Sequence, residues 1–232
     1  MKRLVFLAVL AGCASPGPAS DVFDLVLRGG RVIDPETGLD GVRDVGISGG
    51  RIRAIEPGPL EGREVWDVRG KIVSPGFIDL HSHGQDVEND LLKARDGVTA
   101  AFELEVGTHD VDAWYASRQG RALIHHGVSV GHIPVRMTVM GEAVTFLPTL
   151  ESRTARAVAT DAQVAEIRRG IARGLARGAV AVGFGLQYTP SASRWEVLEA
   201  FRAAAERGAS CHVHMRHYGE KEPSSLVALE EM

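Results

Sequence analysis

The segment Pro75-Gly76-Phe77-Ile78-Asp79-Leu80-His81-Ser82-His83 is a short apolar run that ends in His-x-His. Side chains alternate along a strand, so His81 and His83 share one face. At the C-terminal end of a barrel strand both imidazoles would point into the mouth of a site. Two neutral imidazoles are a natural beginning for a divalent metal site. A bare His-x-His is weak evidence. One that closes a buried strand and follows a small β module is stronger.

Downstream of Pro75, short apolar runs alternate with helical stretches. The strand candidates are Gly76–Leu80, Thr99–Val106, Val128–Pro134, Ala179–Leu186 and Ser210–Met215. Near-continuous apolar runs are what strands buried on both faces require. Thr160-Asp161-Ala162-Gln163 and Ser193-Arg194-Trp195-Glu196 both read as capping boxes that open helices. Strands alternating with helices imply βαβ units and a parallel sheet. Upstream, residues 21–72 read as short strands at roughly ten-residue spacing, which predicts part of a small β-sandwich. Gly29-Gly30 is expected to turn the chain, and Gly49-Gly50 to close a hairpin.

The first twenty residues read differently. Lys2 and Arg3 precede an apolar run, Leu4 to Leu10, then Ala11-Gly12-Cys13. That is the pattern of a signal peptide, and the run is too short to span a bilayer as a stable helix. Leu10-Ala11-Gly12-Cys13 resembles a bacterial lipobox, which implies lipidation at Cys13, a membrane anchor and a place in the bacterial cell envelope. A plain cleaved signal with a chance Cys and a mis-assigned start codon are the alternatives. Residues 14–20 read as a tether. The expected organisation is therefore 1–20 signal and linker, 21–72 sandwich part, and 73–232 the first five βα units of a barrel.

Composition narrows the function classes. The 232 residues are 44% hydrophobic and 24% charged, with a formal charge of -4. This is ordinary globular composition, with no basic footprint for nucleic acid. Two Cys exclude a disulfide scaffold.

Together with Gly97-Val98-Thr99, Gly183-Phe184-Gly185-Leu186-Gln187-Tyr188 and His212-Val213-His214-Met215-Arg216, the His-x-His segment resembles the amidohydrolase superfamily. Within it, the chain looks similar to the N-acyl-D-amino-acid deacylase branch. The resemblance implies an α/β fold, a (β/α)8 TIM barrel joined to a β-sandwich, and one or two divalent ions, Zn, as cofactor. It also implies hydrolysis of the amide of a small N-acyl-D-amino acid, with N-acyl-D-glutamate as an acidic example. His81 and His83 match the first-strand metal ligands, and His214 matches the fifth-strand His. The strand-four Lys of related hydantoinases and dihydroorotases is absent, which weighs against a cyclic amidase. The strand-two Cys of the branch is also absent, with Val106 in its place.

Glu103 and Glu105 are the available substitutes. Acids on an apolar strand are costly to bury unless paired or metal-bound. Glu105, nearer the strand end, is favoured over Glu103; pairing of both with Arg or solvent is the alternative. His132, Tyr188 and Arg216 fall near or past strand ends and are candidate substrate contacts. Arg216 could grip a carboxylate or form an internal salt bridge. His212 reads as a hydrogen-bonded interior His and Cys211 as a packed thiol. His109, His125, His126 and His217 read as surface or loop residues. Counting roughly 34 residues per βα unit, only five units are expected before Met232, whereas a closed barrel needs eight. The chain is thus expected to be the N-terminal part of a longer enzyme, with the catalytic Asp beyond it. A lipid-anchored binding remnant is the non-enzyme alternative.

Overall fold

The computed structural model describes residues 22–232. The signal, the tether and Cys13 lie outside these residues. The chain divides at Pro75/Gly76 into two compact units.

In the first unit, β1 (Phe23–Asp34), β2 (Leu39–Ser48), β3 (Arg51–Glu56), β4 (Gly62–Asp67) and β5 (Ile72–Val73) form a single sheet. β1 pairs antiparallel with β2 and parallel with β4 and β5. The described strands of this unit make one sheet, a small sheet domain in keeping with the expected part of a sandwich. The Gly29-Gly30 pair does not turn the chain. It lies within β1 at a register shift between Leu27 and Gly30, with Gly29 at φ +73°. Gly49 and Gly50, both at positive φ, turn β2 into β3, as a primed hairpin turn requires.

The second unit alternates strand and helix. Its elements are β6 (Phe77–Asp79), α1 (Val87–Arg95), β7 (Val98–Thr108), α2 (Val111–Ala116), β8 (His125–Gly131), α3 (His132–Val139), α4 (Arg153–Arg156), α5 (Asp161–Ala176), β9 (Ala181–Gly185), α6 (Arg194–Ala205), β10 (Ser210–His214) and α7 (Ser225–Glu230). The five strands pair in sequence order, all in parallel. The result is a curled half-barrel sheet of mixed α/β class, the expected parallel architecture. Val128, Val130, Val182 and Phe184 pack against Ile167 and Ile171 of α5 and Val197 and Ala200 of α6. Each large apolar side chain buried there contributes about 1.5–3 kcal/mol.

Local chemistry explains the helix starts. Thr160 and Gln163 form the full reciprocal capping box of α5. Ser193 caps α6 by accepting the Glu196 N–H at 3.1 Å, but the Glu196 carboxylate turns inward. There it accepts from His132 Nε2 at 2.7 Å and from Arg136. Arg136 also donates to the carbonyls of Thr154 and Ala157. All three side chains are fully buried. Burial pushes the Glu196 carboxyl up, but the His132 hydrogen bond and the His132 and Arg136 charges outweigh it and hold the group below its ordinary value.

Candidate metal centre

β6 is short, and His81 and His83 lie just past its end. The Asp79 carboxylate accepts the His81 N–H at 3.0 Å, and the Ser82 N–H donates to the Phe102 carbonyl at 3.0 Å. These bonds hold the His-x-His segment against β7.

β7 then departs from regular pairing. Glu103 stands opposite Val128 and Thr108 opposite Val130, so the segment between them is bulged. Three glycines clear its path. A Cβ on Gly131 would lie 1.8 Å from the Val106 carbonyl oxygen, and one on Gly183 would lie 2.2 Å from that of Glu105. Gly107 itself adopts φ +66°, a left-handed conformation that favours glycine. Gly131→Ala is therefore expected to cost about 1–3 kcal/mol through overpacking, read by urea unfolding. Unchanged stability would mean that the bulge has room to spare.

The bulge separates two acids that strict alternation would keep on one face. Glu103 accepts the Val106 and Gly107 N–H groups at 3.1 and 3.4 Å on Oε1, and binds His83 Nδ1 at 2.6 Å through Oε2. Glu105 sits among the imidazoles. Its Oε2 lies 2.9 Å from His81 Nε2 and 3.4 Å from His83 Nε2, and its Oε1 lies 2.9 Å from His214 Nδ1. His81 Nε2 and His83 Nε2 are 3.0 Å apart. Ligand atoms of His81, His83 and Glu105 all fall within 4.8 Å of one another. Both carboxylates are buried.

This donor set suits a cation. A neutral imidazole carries one N–H. His83 directs one nitrogen at Glu103 and the other at Glu105, and His214 directs Nδ1 at Glu105 and Nε2 at Gln187 Oε1, 2.7 Å away. With one proton per ring, each His turns a lone pair toward an oxygen unless positive charge lies between them. Hydrogen bonding of the far ring nitrogen to an acceptor is how metal-ligating histidines are oriented.

Aromatic rings flank the cluster. Phe146 packs edge-on to His83 at 5.2 Å. Tyr188 and Tyr218 approach the His214 ring at 5.0 and 5.3 Å. Tyr188 thus stands beside the centre.

His132 and Arg216 do not face it. His132 is the first residue of α3, not a strand residue, and it stacks on Phe184 in the sheet–helix layer. Arg216 has all five N–H groups committed: two to the Glu231 carboxylate, and the rest to the carbonyls of Thr189, Pro190 and Ala192. It is the internal salt bridge, and its bond holds the Glu231 carboxyl below its usual range.

A carboxyl depressed in the folded state stabilises fully above its unfolded pKa of about 4.3, and the contribution is lost as pH falls through the lower folded value. Thermal stability should therefore drop on acidification below about pH 4, and Glu231→Gln should lessen that drop. Equal pH profiles for the two proteins would refute the assignment.

The remaining candidates are peripheral. His212 hydrogen bonds to Ser210 Oγ at 3.1 Å. Cys211 packs against the core, and burial pushes its thiol up to about 11. His125 and His126 begin β8, at the opposite end of the strand from Gly131. Gln187 and Phe146 were not singled out from the sequence. Gln187 lay within a quoted motif, but nothing in its residue type marked it.

No protein-family model matches the chain. Over 91% of its length it is 31% identical to the D-aminoacylase of Alcaligenes xylosoxydans xylosoxydans, of which it covers 48%. A crystal structure of D-aminoacylase, described as defining a novel subset of amidohydrolases, superposes with a TM-score of 0.75 at 28% identity, covering 90% of this chain and 48% of that one. The N-acyl-D-glutamate deacylase of Bordetella bronchiseptica, solved with zinc and a phosphonate inhibitor, gives 0.74 at 28%, covering 91% and 48%. The chain spans about half the length of the relatives it matches. The curled parallel sheet, with imidazoles and a buried carboxylate gathered at its strand ends, resembles the amidohydrolase structures on which it superposes. Within that class the likeness is to D-aminoacylase and N-acyl-D-glutamate deacylase.

Proposed function

We propose that this chain is the metal-holding part of a metal-dependent amidohydrolase that cleaves the amide of N-acyl-D-amino acids, with N-acyl-D-glutamate the first substrate to try. The observation that carries the reading is the convergence of His81, His83 and His214 on the buried Glu105 carboxylate. These four residues would hold Zn. Glu105 offers one oxygen to His81 and His83 and the other to His214, so it can serve one ion or span two. A bound divalent ion supplies Lewis-acid polarisation of the acyl carbonyl and a lowered pKa for water. Glu103 holds the His83 ring from behind. Tyr188 and Phe146 wall the space beside the imidazoles, where a substrate would lie. Arg216 is committed to Glu231 and three carbonyls, and His132 is fully buried and directs Nε2 at Glu196, so neither is a substrate contact. The activity belongs to the whole protein, of which the proton-transfer group would be a further part.

The test is hydrolysis by the zinc-loaded whole protein of N-acetyl-D-glutamate, its L enantiomer and a hydantoin. Release of D-glutamate alone is expected. Opening of the hydantoin alone, or cleavage of no amide, would reject the reading.

We further propose attachment to the bacterial envelope through a lipid on Cys13. Cys13→Ala should then move the protein from the membrane pellet to the soluble fraction. An unaltered partition would reject the anchor.

A further inference from the structure

Gln187 occupies a position that the metal reading leaves unused. It sits in a single 3-10 turn, Leu186–Tyr188, directly after β9. Its Oε1 lies 2.7 Å from His214 Nε2, on the ring edge opposite the nitrogen that faces Glu105. An amide oxygen only accepts. With a cation in the cluster it takes the N–H at Nε2 and leaves the Nδ1 lone pair for the cation; without one, the Glu105 carboxylate competes for the ring proton at Nδ1. Glu103 does the same for His83 with the nitrogens exchanged, taking Nδ1–H and leaving Nε2 for the cluster.

The surroundings make Gln187 the discriminating contact. Tyr188 and Tyr218 restrain the His214 ring from its sides, but aromatic contacts do not distinguish one tautomer from the other. The turn carrying Gln187 is itself anchored. Leu186 is fully buried beneath it, and Arg216 grips the carbonyls of Thr189, Pro190 and Ala192 just beyond it. An amide also orients the ring without adding a third negative charge beside Glu103 and Glu105.

We propose that Gln187 is a positioning residue that fixes the tautomer and orientation of His214, so that Nδ1 is the nitrogen presented to the cation. The inference rests on the metal reading of the cluster. Its test does not depend on turnover.

Two measurements on the full chain decide it. Long-range 15N–1H spectra of the histidine-labelled, Zn2+-loaded protein report which ring nitrogen carries the proton, with His214→Gln identifying the signals. Competition with a chromophoric chelator reports Zn2+ affinity. The parent should show His214 with the proton on Nε2. Gln187→Leu should populate both tautomers and weaken Zn2+ binding by about 10–100-fold, the usual cost of losing such an outer partner. Gln187→Glu keeps the acceptor and should keep both the tautomer and an affinity no weaker than the parent's.

A Leu variant with the parent's tautomer and affinity would overturn the proposal. So would Leu and Glu variants that are weakened equally, which would mark a packing role. If the parent itself binds no Zn2+, the metal reading fails and the proposal falls with it, whereas Zn2+ bound equally by parent and Leu variant overturns the role of Gln187 alone.

Discussion

Glu105→Gln is expected to remove stoichiometric Zn2+ binding, lowering affinity by well over the roughly 10–100-fold that loss of an outer partner costs. Among the described residues, Glu105 is the one group that touches all three imidazoles, and it supplies the charge opposite the cation. The same substitution should have the reverse effect on the metal-free protein. A buried carboxylate without a cation is costly, so the metal-free Gln variant should melt above the metal-free parent. Adding Zn2+ should raise the parent's melting temperature, as any ligand of the native state does, and leave the variant's unchanged. Paired melting curves with and without Zn2+ measure both effects. A variant that still gains stability from Zn2+ would show that the three imidazoles suffice and that Glu105 is not a ligand.

The second large effect lies away from the cluster. Arg136→Met leaves the Glu196 carboxylate buried with only His132 beside it. Breaking a buried ion pair from one side typically costs about 3–5 kcal/mol. Replacing both partners costs less, because no charge is stranded, so adding Glu196→Leu to Arg136→Met should recover part of the loss. Urea unfolding of the parent, single and double variants tests this. A single variant within about 1 kcal/mol of the parent would place the guanidinium in water rather than in the core. The network joins the start of α3 to the start of α6 and to the carbonyls of Thr154 and Ala157, so its loss should loosen the connections between successive βα units.

The parallel alternation and the His-x-His end of β6 could be read from residue order because both rest on periodicity and local spacing. His214 came through the likeness of its motif. The bulge in β7 could not be read, because its cause is steric and remote: Gly131 and Gly183 belong to other strands, and their missing side chains make the space. Alternation alone put Glu103 and Glu105 on one face, whereas the bulge gives them different partners. Arg216 and His132 have the residue types and strand-end positions of substrate contacts. Only their tertiary partners, Glu231 and Glu196, reveal that Arg216 and the Nε2 edge of His132 are turned to other elements of the fold. In the first unit, Gly29-Gly30 carries the composition of a turn, but β1 continues through it as a bulge, since the strand finds partners on both sides of the pair.

Glu103 holds two things at once: the ring of His83 and the freed amides of Val106 and Gly107. The imidazole at one end of the donor set and the main chain just beyond Glu105 are therefore linked in series through a single carboxylate. A displacement of either is transmitted to the other, so substitutions at Glu103 and Glu105 should combine non-additively. The centre responds as one coupled unit rather than as four independent ligands.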